Sequence, residues 1–305
     1  MVKYLITGGM GFVGTNLVPL LKRHSSCEIT ILDNLTNPSG DLDTDDLRLI
    51  EGDIRDTDAV DEAMKGMDVV IHLAAHTRVM DSIEDPVLNF DINTRGTFNI
   101  LEAMRQHGVG SIVNASTGGA ILGEVEPPVK EDIPPQPAAP YGASKLAAEG
   151  YCSAYSESYG IKAVSLRFSN LYGPYSRNKG SVVAAFIKDI TKEGHVRVYG
   201  DGSQTRDYLY VQDLAHGMIQ AIESGVSGVF QMGAGKPTSI NELLQLFRQL
   251  VDSEFDVEYL DFRAGELRHT YCDITKARRA FNYQPTTELT DGLKQTWDWF
   301  RGSQG

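Results

Sequence analysis

Cysteine is scarce in this chain. Its 305 residues include three, Cys27, Cys152 and Cys272. They are isolated, odd in number and free of CxxC spacing, which excludes a disulfide framework and offers no metal site. Reduced thiols in a cytoplasmic protein are the expectation. Long apolar runs are missing too: nothing approaches the ~20 residues that span a bilayer, so no membrane partner is expected. Met1-Val2-Lys3 leads straight into a strand-like segment, which does not read as a signal peptide. Positive charge is in deficit. With 28 basic against 41 acidic residues the net charge is −13, which argues against nucleic acid as a partner. An anionic ligand can then be held only where arginines converge locally.

What is present is ordinary for a globular protein. Hydrophobic residues make up 41% of a chain long enough to bury a core and form two lobes. Apolar, β-branched runs occur at 4–7, 28–32, 47–50, 68–73, 111–115 and 162–168, with helical patterns at 15–23, 87–106 and 141–159. Such alternation predicts an α/β fold, a doubly wound parallel sheet covered on both faces. The Pro-rich stretch 126–140 reads as a long loop, since proline removes ladder donors. Beyond residue 168 the elements shorten, which predicts a smaller C-terminal α/β lobe. The expected division is 1–168 with 201–232 for a dinucleotide-binding domain and 169–200 with 233–305 for a substrate lobe.

The first run leads into Gly8-Gly9-Met10-Gly11-Phe12-Val13-Gly14, a GxxGxxG pattern on Gly8, Gly11 and Gly14. Glycine permits a tight turn and lets backbone N–H groups approach a pyrophosphate at the head of the next helix. Alone, the pattern is equally an ordinary glycine turn. Here it follows a strand and precedes an amphipathic helix, which favours a Rossmann-type dinucleotide site that includes Phe12 and Val13. The second strand ends in Leu32-Asp33-Asn34, and a carboxylate about 20 residues past the loop is placed to accept from an adenosine ribose hydroxyl. Asp33 would also repel a 2′-phosphate, so NAD is expected rather than NADP. Asp53-Ile54 and Leu73-Ala74-Ala75 close two further strands, at the edge where open α/β sheets bind ligands.

Tyr141 and Lys145 stand four residues apart at the start of a helix, which puts both on one face. A free phenol titrates at about 10, and a neighbouring ammonium pulls that value down. This spacing is common by chance. It gains weight from the dinucleotide pattern and from a preceding strand that ends in Ser116-Thr117, whose hydroxyls could bond a reacting oxygen.

On these motifs the chain resembles the extended short-chain dehydrogenase/reductase superfamily, and within it the NAD-dependent nucleotide-sugar epimerase/dehydratase family. The likeness covers essentially the whole chain and is nearest to the UDP-galactose (UDP-glucose) 4-epimerases. It is carried by Leu32-Asp33-Asn34-Leu35-Thr36-Asn37, Gly52-Asp53-Ile54-Arg55, Asn93-Thr94-Arg95-Gly96-Thr97 and Tyr141-Gly142-Ala143-Ser144-Lys145. The resemblance implies cofactor contacts for Asn34, Asn37, Asp53 and Asn93. It makes Tyr141 the acid/base on the sugar hydroxyl, with Lys145 holding the nicotinamide ribose and lowering the Tyr141 pKa.

On the substrate side, Asn170 in Asn170-Leu171-Tyr172-Gly173-Pro174 resembles the family's diphosphate contact, Tyr199 its base-side residue and Arg206 its pyrophosphate arginine. Arg263-Ala264-Gly265-Glu266 resembles an RPGD segment, with Arg263 on phosphate and Glu266 on ribose. Two guanidinium forks from separate segments suit a diphosphate. For Arg78, Arg177 and Arg197, surface charge and ligand contact stand level.

Two departures shape the expected chemistry. The family's usual catalytic hydroxyl position falls on Gly118, which leaves Thr117 as the replacement and Ser116 second. Thr270 stands where a bulky tyrosine usually closes the sugar pocket, which would admit an acetamido group, while Arg177 could meet a uronic acid carboxylate. Related dehydratases carry an Asp-Glu pair after the catalytic Thr and decarboxylases a glutamate, whereas Gly118-Gly119 follow Thr117 here. The expected activity is 4-epimerisation of a UDP-hexose by transient C4 oxidation and hydride return. UDP-glucose/UDP-galactose comes first, acetamido and uronic acid forms next, and a dTDP-sugar is less favoured. A nucleotide-keto-sugar reductase or dehydrogenase and a non-catalytic NAD(H)-sensing protein are the competing readings. The family usually pairs through helices 87–106 and 141–159, so a homodimer is expected.

Overall fold

The near-continuous apolar runs of the first half belong to strands buried on both faces. The computed structural model describes residues 1–40, 42–251, 254–262 and 268–302. Its strands are β1 (Val2–Thr7), β2 (Cys27–Asp33), β3 (Arg48–Glu51), β4 (Val69–His72), β5 (Ser111–Thr117), β6 (Lys162–Phe168) and β7 (Asn170–Tyr172). They continue with β8 (His195–Tyr199), β9 (Thr205–Arg206), β10 (Tyr208–Tyr210), β11 (Gly228–Met232), β12 (Thr238–Ser239) and β13 (Asp256–Leu260). Helices are α1 (Phe12–His24), α2 (Thr57–Met64), α3 (Val79–Glu84), α4 (Pro86–Phe90), α5 (Gly96–His107) and α6 (Gly119–Leu122). The second half adds α7 (Pro140–Tyr159), α8 (Val182–Glu193), α9 (Val211–Ser224), α10 (Ile240–Leu250), α11 (Thr275–Phe281) and α12 (Leu289–Gly302).

Seven strands form one sheet in the order β11-β6-β5-β4-β1-β2-β3, with every pairing parallel. The chain winds outward from β1 through β2 and β3, then returns to β4 on the other side. The crevice beyond the carboxyl ends of β1 and β4 is therefore a topological switch point, where such sheets bind ligands. Neighbouring residues of β1 feed opposite faces, as a period of two requires. Ile6 packs with Leu17, Leu21, Leu214 and Met218 beneath α1 and α9, and Leu5 packs with Ile100, Leu101 and Met104 on the other face. A second core holds Tyr172, Phe186, Tyr210, Leu243, Phe247 and Trp297 between α8, α10 and α12, and this is the smaller lobe.

The lobes interleave more than the expected division allows. Cys272, Ile274, Ala277, Phe281 and Tyr283 join the main core, because α11 packs on α9 and β11. Conversely, Tyr208 and Tyr210 belong to the lobe. The expected helix 87–106 is continuous from Pro86 to His107 but changes its hydrogen-bond register on the way. Asp85 caps α4, its side chain accepting from Leu88 N–H at 2.9 Å, and a π-helical turn at Asp91–Arg95 separates α4 from α5. Strand β5 ends at Thr117, as the motif placed it, and its alternation decides which hydroxyl faces the site.

Candidate active site

Gly8 sits at the switch point with φ +69°, and a Cβ there would lie 2.6 Å from the backbone nitrogen of Ala74. Only a residue without a side chain lets the ends of β1 and β4 meet so closely. Gly11 N–H closes the turn onto the Gly8 carbonyl at 3.1 Å and then heads α1 with no side-chain cap, leaving N–H groups at Phe12 and Val13 to be satisfied by a ligand or water. Asp33 ties this loop to β2: one carboxylate oxygen accepts from Met10 N–H and the other from Leu35 N–H, both at 2.9 Å. Each oxygen retains a lone pair. Asn37 lies exposed on a loop that returns to the glycine turn through Ser39 N–H and the Met10 carbonyl, 2.9 Å.

Asp53 is clasped by Arg55 (2.8 and 2.9 Å) and by Asn34 Nδ2 (3.0 Å), and chiefly the Arg55 hydrogen bond holds its carboxyl down at about 2. Ile54 is buried in the core, so its side chain turns away from the crevice. Leu73 and Ala74 bond back to Thr7, which leaves Leu73-Ala74-Ala75 along the floor beside Gly8. Asn93, inside the π-helical turn, is a brace. It accepts from His76 N–H at 2.8 Å and donates to the His76 carbonyl and Ser144 Oγ, both at 3.0 Å. A buried chain of contacts from Thr7 through His72 to Thr97 backs it, with burial driving His72 down to about 3 and so keeping it neutral.

Tyr141 and Lys145 share a face of α7. Gly142 lets this helix press on α6: a Cβ there would fall 2.0 Å from the Ala120 carbonyl oxygen. Successive residues of β5 point to opposite sides, so Thr117 and Ser116 separate. The Thr117 hydroxyl lies on the Tyr141 side, near enough to work against the rise of the phenol pKa. Ser116, the second candidate, is turned the other way and donates to Glu149 at 2.6 Å. Gly118 faces neither, since a Cβ there would approach Gln231, 3.0 Å from its side-chain oxygen.

The charge state differs from expectation. Burial pushes Tyr141 up to about 12 against the lowering effect of Thr117, while burial pulls Lys145 down to about 8. The Lys145 ammonium donates to the Ala115 carbonyl at 3.0 Å. Positive charge brought beside the ring would lower the phenol pKa.

The substrate candidates come from three segments joined by backbone hydrogen bonds. Asn170 N–H donates to the Asp207 carbonyl (2.9 Å), Thr270 N–H to the Thr205 carbonyl (3.2 Å), and Arg206 lies between them. The Arg206 guanidinium donates to the carbonyls of Thr205 at 2.9 Å and Arg268 at 3.2 Å. Gln204 Nε2 reaches the Tyr199 carbonyl at 2.6 Å, which brings the end of β8 to the same cluster. Arg263 and Glu266 lie outside the described residues. Arg177 sits on α12, over the rings of Trp299 (5.5 Å) and Phe300 (5.7 Å), and donates to the Phe300 carbonyl at 3.3 Å.

A profile of the NAD dependent epimerase/dehydratase family matches residues 4–233. The chain belongs to this family. The UDP-glucose 4-epimerase of Thermus thermophilus, solved with NAD, is 37% identical, superposes with a TM-score of 0.91 and covers 99% of this chain and 100% of its own. The UDP-N-acetylglucosamine 4-epimerase of Methanobrevibacter ruminantium M1, solved with UDP-N-acetylmuramic acid, gives 30% identity and a TM-score of 0.93 with 99% of both chains covered. A UDP-glucuronate 4-epimerase of Thermodesulfobacterium geofontis is 32% identical over 97% of this chain and 95% of its own. The chain is an NAD-dependent nucleotide-sugar 4-epimerase of the extended short-chain dehydrogenase/reductase type. No described helix is long and apolar enough to cross a membrane.

Family membership leaves some working parts of this chain unannounced. Asp207 is the hub beneath the substrate cluster, its buried carboxylate accepting from Ala234 (2.7 Å), Gly235 (3.1 Å) and Cys272 (3.0 Å) N–H groups. Glu149, one turn past Lys145, joins Ser116 to Arg167. Its position at i+8 from Tyr141 was a readable signal, since the three share one helix face.

Proposed function

We propose that the protein inverts C4 of a UDP-hexose, with UDP-glucose and UDP-galactose as the first pair. The observation that carries this reading is the Thr117 hydroxyl beside the Tyr141 phenol, with Lys145 on the same helix face, followed by Gly118-Gly119 and not by an acid pair. The cradle fits a dinucleotide: Gly8 leaves room, the head of α1 presents N–H groups, and Asp33 offers acceptors for a ribose. Bound there, NAD supplies a reversible hydride acceptor. Tyr141 takes and returns the proton of the sugar 4-hydroxyl, Thr117 holds that oxygen, and Lys145 orients the nicotinamide ribose. Asn170, Arg206 and Arg263 hold the diphosphate, while Tyr199 and Glu266 serve the uridine.

Half-buried Thr270 in place of a bulky ring supports acetamido sugars as the second pair. The seat of Arg177 on α12 weighs against uronic acids. Exposed Met80, Ile83, Val87 and Phe90 on α3 and α4, with Phe98, Tyr151 and Tyr159 on α5 and α7, favour a homodimer through these helices. The test is incubation with the three UDP-sugar pairs, without added cofactor, following C4 inversion by proton NMR. Tyr141→Phe is expected to slow turnover by about 10²–10⁴-fold with NAD still bound. Net hydride transfer to a keto sugar, with no inversion of any pair, would overturn the reading.

A further inference from the structure

Between β7 and α8 the chain crosses from the lobe to the head of α1. Asn16 Nδ2 holds the crossing to α1 by donating to the Pro174 carbonyl at 3.0 Å, and Asn178 Nδ2 holds it to the β2 loop by donating to the Pro38 carbonyl at 3.1 Å. Ser176 Oγ and Lys179 N–H tighten the crossing from inside, on the carbonyls of Gly173 (2.7 Å) and Ser176 (2.9 Å). The result places the Lys179 ammonium 5.1 Å from the centre of the Phe12 ring, the first residue of α1 after the glycine turn.

This is a costly place for a cation. Burial alone draws the Lys179 ammonium down to about 8, with no carboxylate among the described residues raising it. The head of α1 adds the positive end of a helix dipole on the same side. The Phe12 ring face recovers part of the lost solvation, as an aromatic face does for a cation. A cation held by a braced loop, half-buried and with no anion beside it among the described residues, is an arrangement completed by a bound anion.

We propose that Lys179 is a phosphate ligand, its ammonium meeting a phosphoryl oxygen of the dinucleotide or of the nucleotide sugar where the lobe crosses the head of α1. The nucleotide-sugar alternative rests on the function proposed above; the dinucleotide alternative does not. Lys179 is thus the residue through which the lobe senses the crevice, since its loop belongs to one and its charge to the other.

The test uses Lys179→Met, which keeps length and apolar stem, and Lys179→Arg, which keeps charge. NAD is titrated into the purified protein, and UDP into the NAD-loaded protein, by calorimetry. One affinity is expected to fall on the order of 10- to 100-fold in Lys179→Met and to recover in Lys179→Arg. Loss on NAD assigns the cofactor pyrophosphate, and loss on UDP assigns the substrate diphosphate. The ligand-free Lys179→Met protein is expected to melt no lower than the unmodified one, because an unpaired cation has been removed. Unchanged affinity for both probes overturns the proposal, as does a lowered melting point with unchanged affinities. If the unmodified protein binds no UDP, the substrate reading fails, and the NAD titration alone decides the role of Lys179.

Discussion

Replacing Glu149 with alanine would leave the Arg167 guanidinium with no counter-ion where its side chain is 5% exposed and that of Glu149 4%. Three hydrogen bonds go at once: those from Arg167 Nε and Nη2, at 2.9 and 2.8 Å, and that from Ser116 Oγ, at 2.6 Å. Arg167 Nη1 already lacks a partner among the described residues, so the orphaned cation has little to turn to. Breaking a buried pair from one side costs about 3–5 kcal/mol. With an unfolding entropy of about 2.1 cal/mol/K per residue, that lowers the melting temperature by roughly 5–8 °C in a chain of this length.

The same change has a second readout. Glu149 is one of the groups whose charge raises Lys145 against burial, so its loss moves Lys145 further below about 8. The alkaline limb of the turnover profile, where Lys145 loses its proton, is expected to move to lower pH. A double Glu149→Leu/Arg167→Leu variant removes both charges and is expected to recover most of the lost stability. Thermal melts by circular dichroism, and pH–rate profiles taken well below the melt, measure both effects. A single variant that melts within about 2 °C of the parent, or a double variant no better than the single, would refute the reasoning.

Thr117→Val is expected to lower kcat with KM little changed, because its bond strengthens as charge develops on the sugar oxygen. Ser116→Ala should act mainly on stability, and a larger kcat loss there would reverse the assignment of the two hydroxyls. Asp33→Asn removes the charge that repels a 2′-phosphate and is expected to narrow the gap between NAD and NADP affinities, read by equilibrium titration with each. Equal discrimination in parent and variant would show that Asp33 does not set the preference. The folded-state pKa of Lys179 lies below its ordinary 10.5, at about 8, so its charge opposes folding fully below pH 8 and ceases to do so as pH rises toward 10.5. Any melting-point advantage of Lys179→Met at pH 7 should therefore shrink through that window, and a constant difference would contradict the linkage.

The parallel sheet was legible because its strands are buried on both faces, which forces unbroken apolar runs with helices between them. The crevice was legible because a backbone turn against pyrophosphate admits little but glycine, and Gly8 is confined by the Ala74 backbone. The start of α7 was legible from the helical pattern that opens with the Tyr141–Lys145 pair, although Pro140, read as loop, is its first residue. Those constraints are local, so they leave marks in consecutive residues. The partition of Ser116 from Thr117 was not local, since it depends on β5 staying paired with β6 through Thr117. Nor was the brace at Asn93, which needs a π-helical turn that composition does not announce. The pKa values of Tyr141 and Lys145 ran against the sequence argument because spacing sets which groups are neighbours, while burial sets what their charge costs. Asp207 and Lys179 look like surface charges in the sequence. Only the folded chain, bringing together segments tens to more than a hundred residues apart, puts each where a single charge must find its partner.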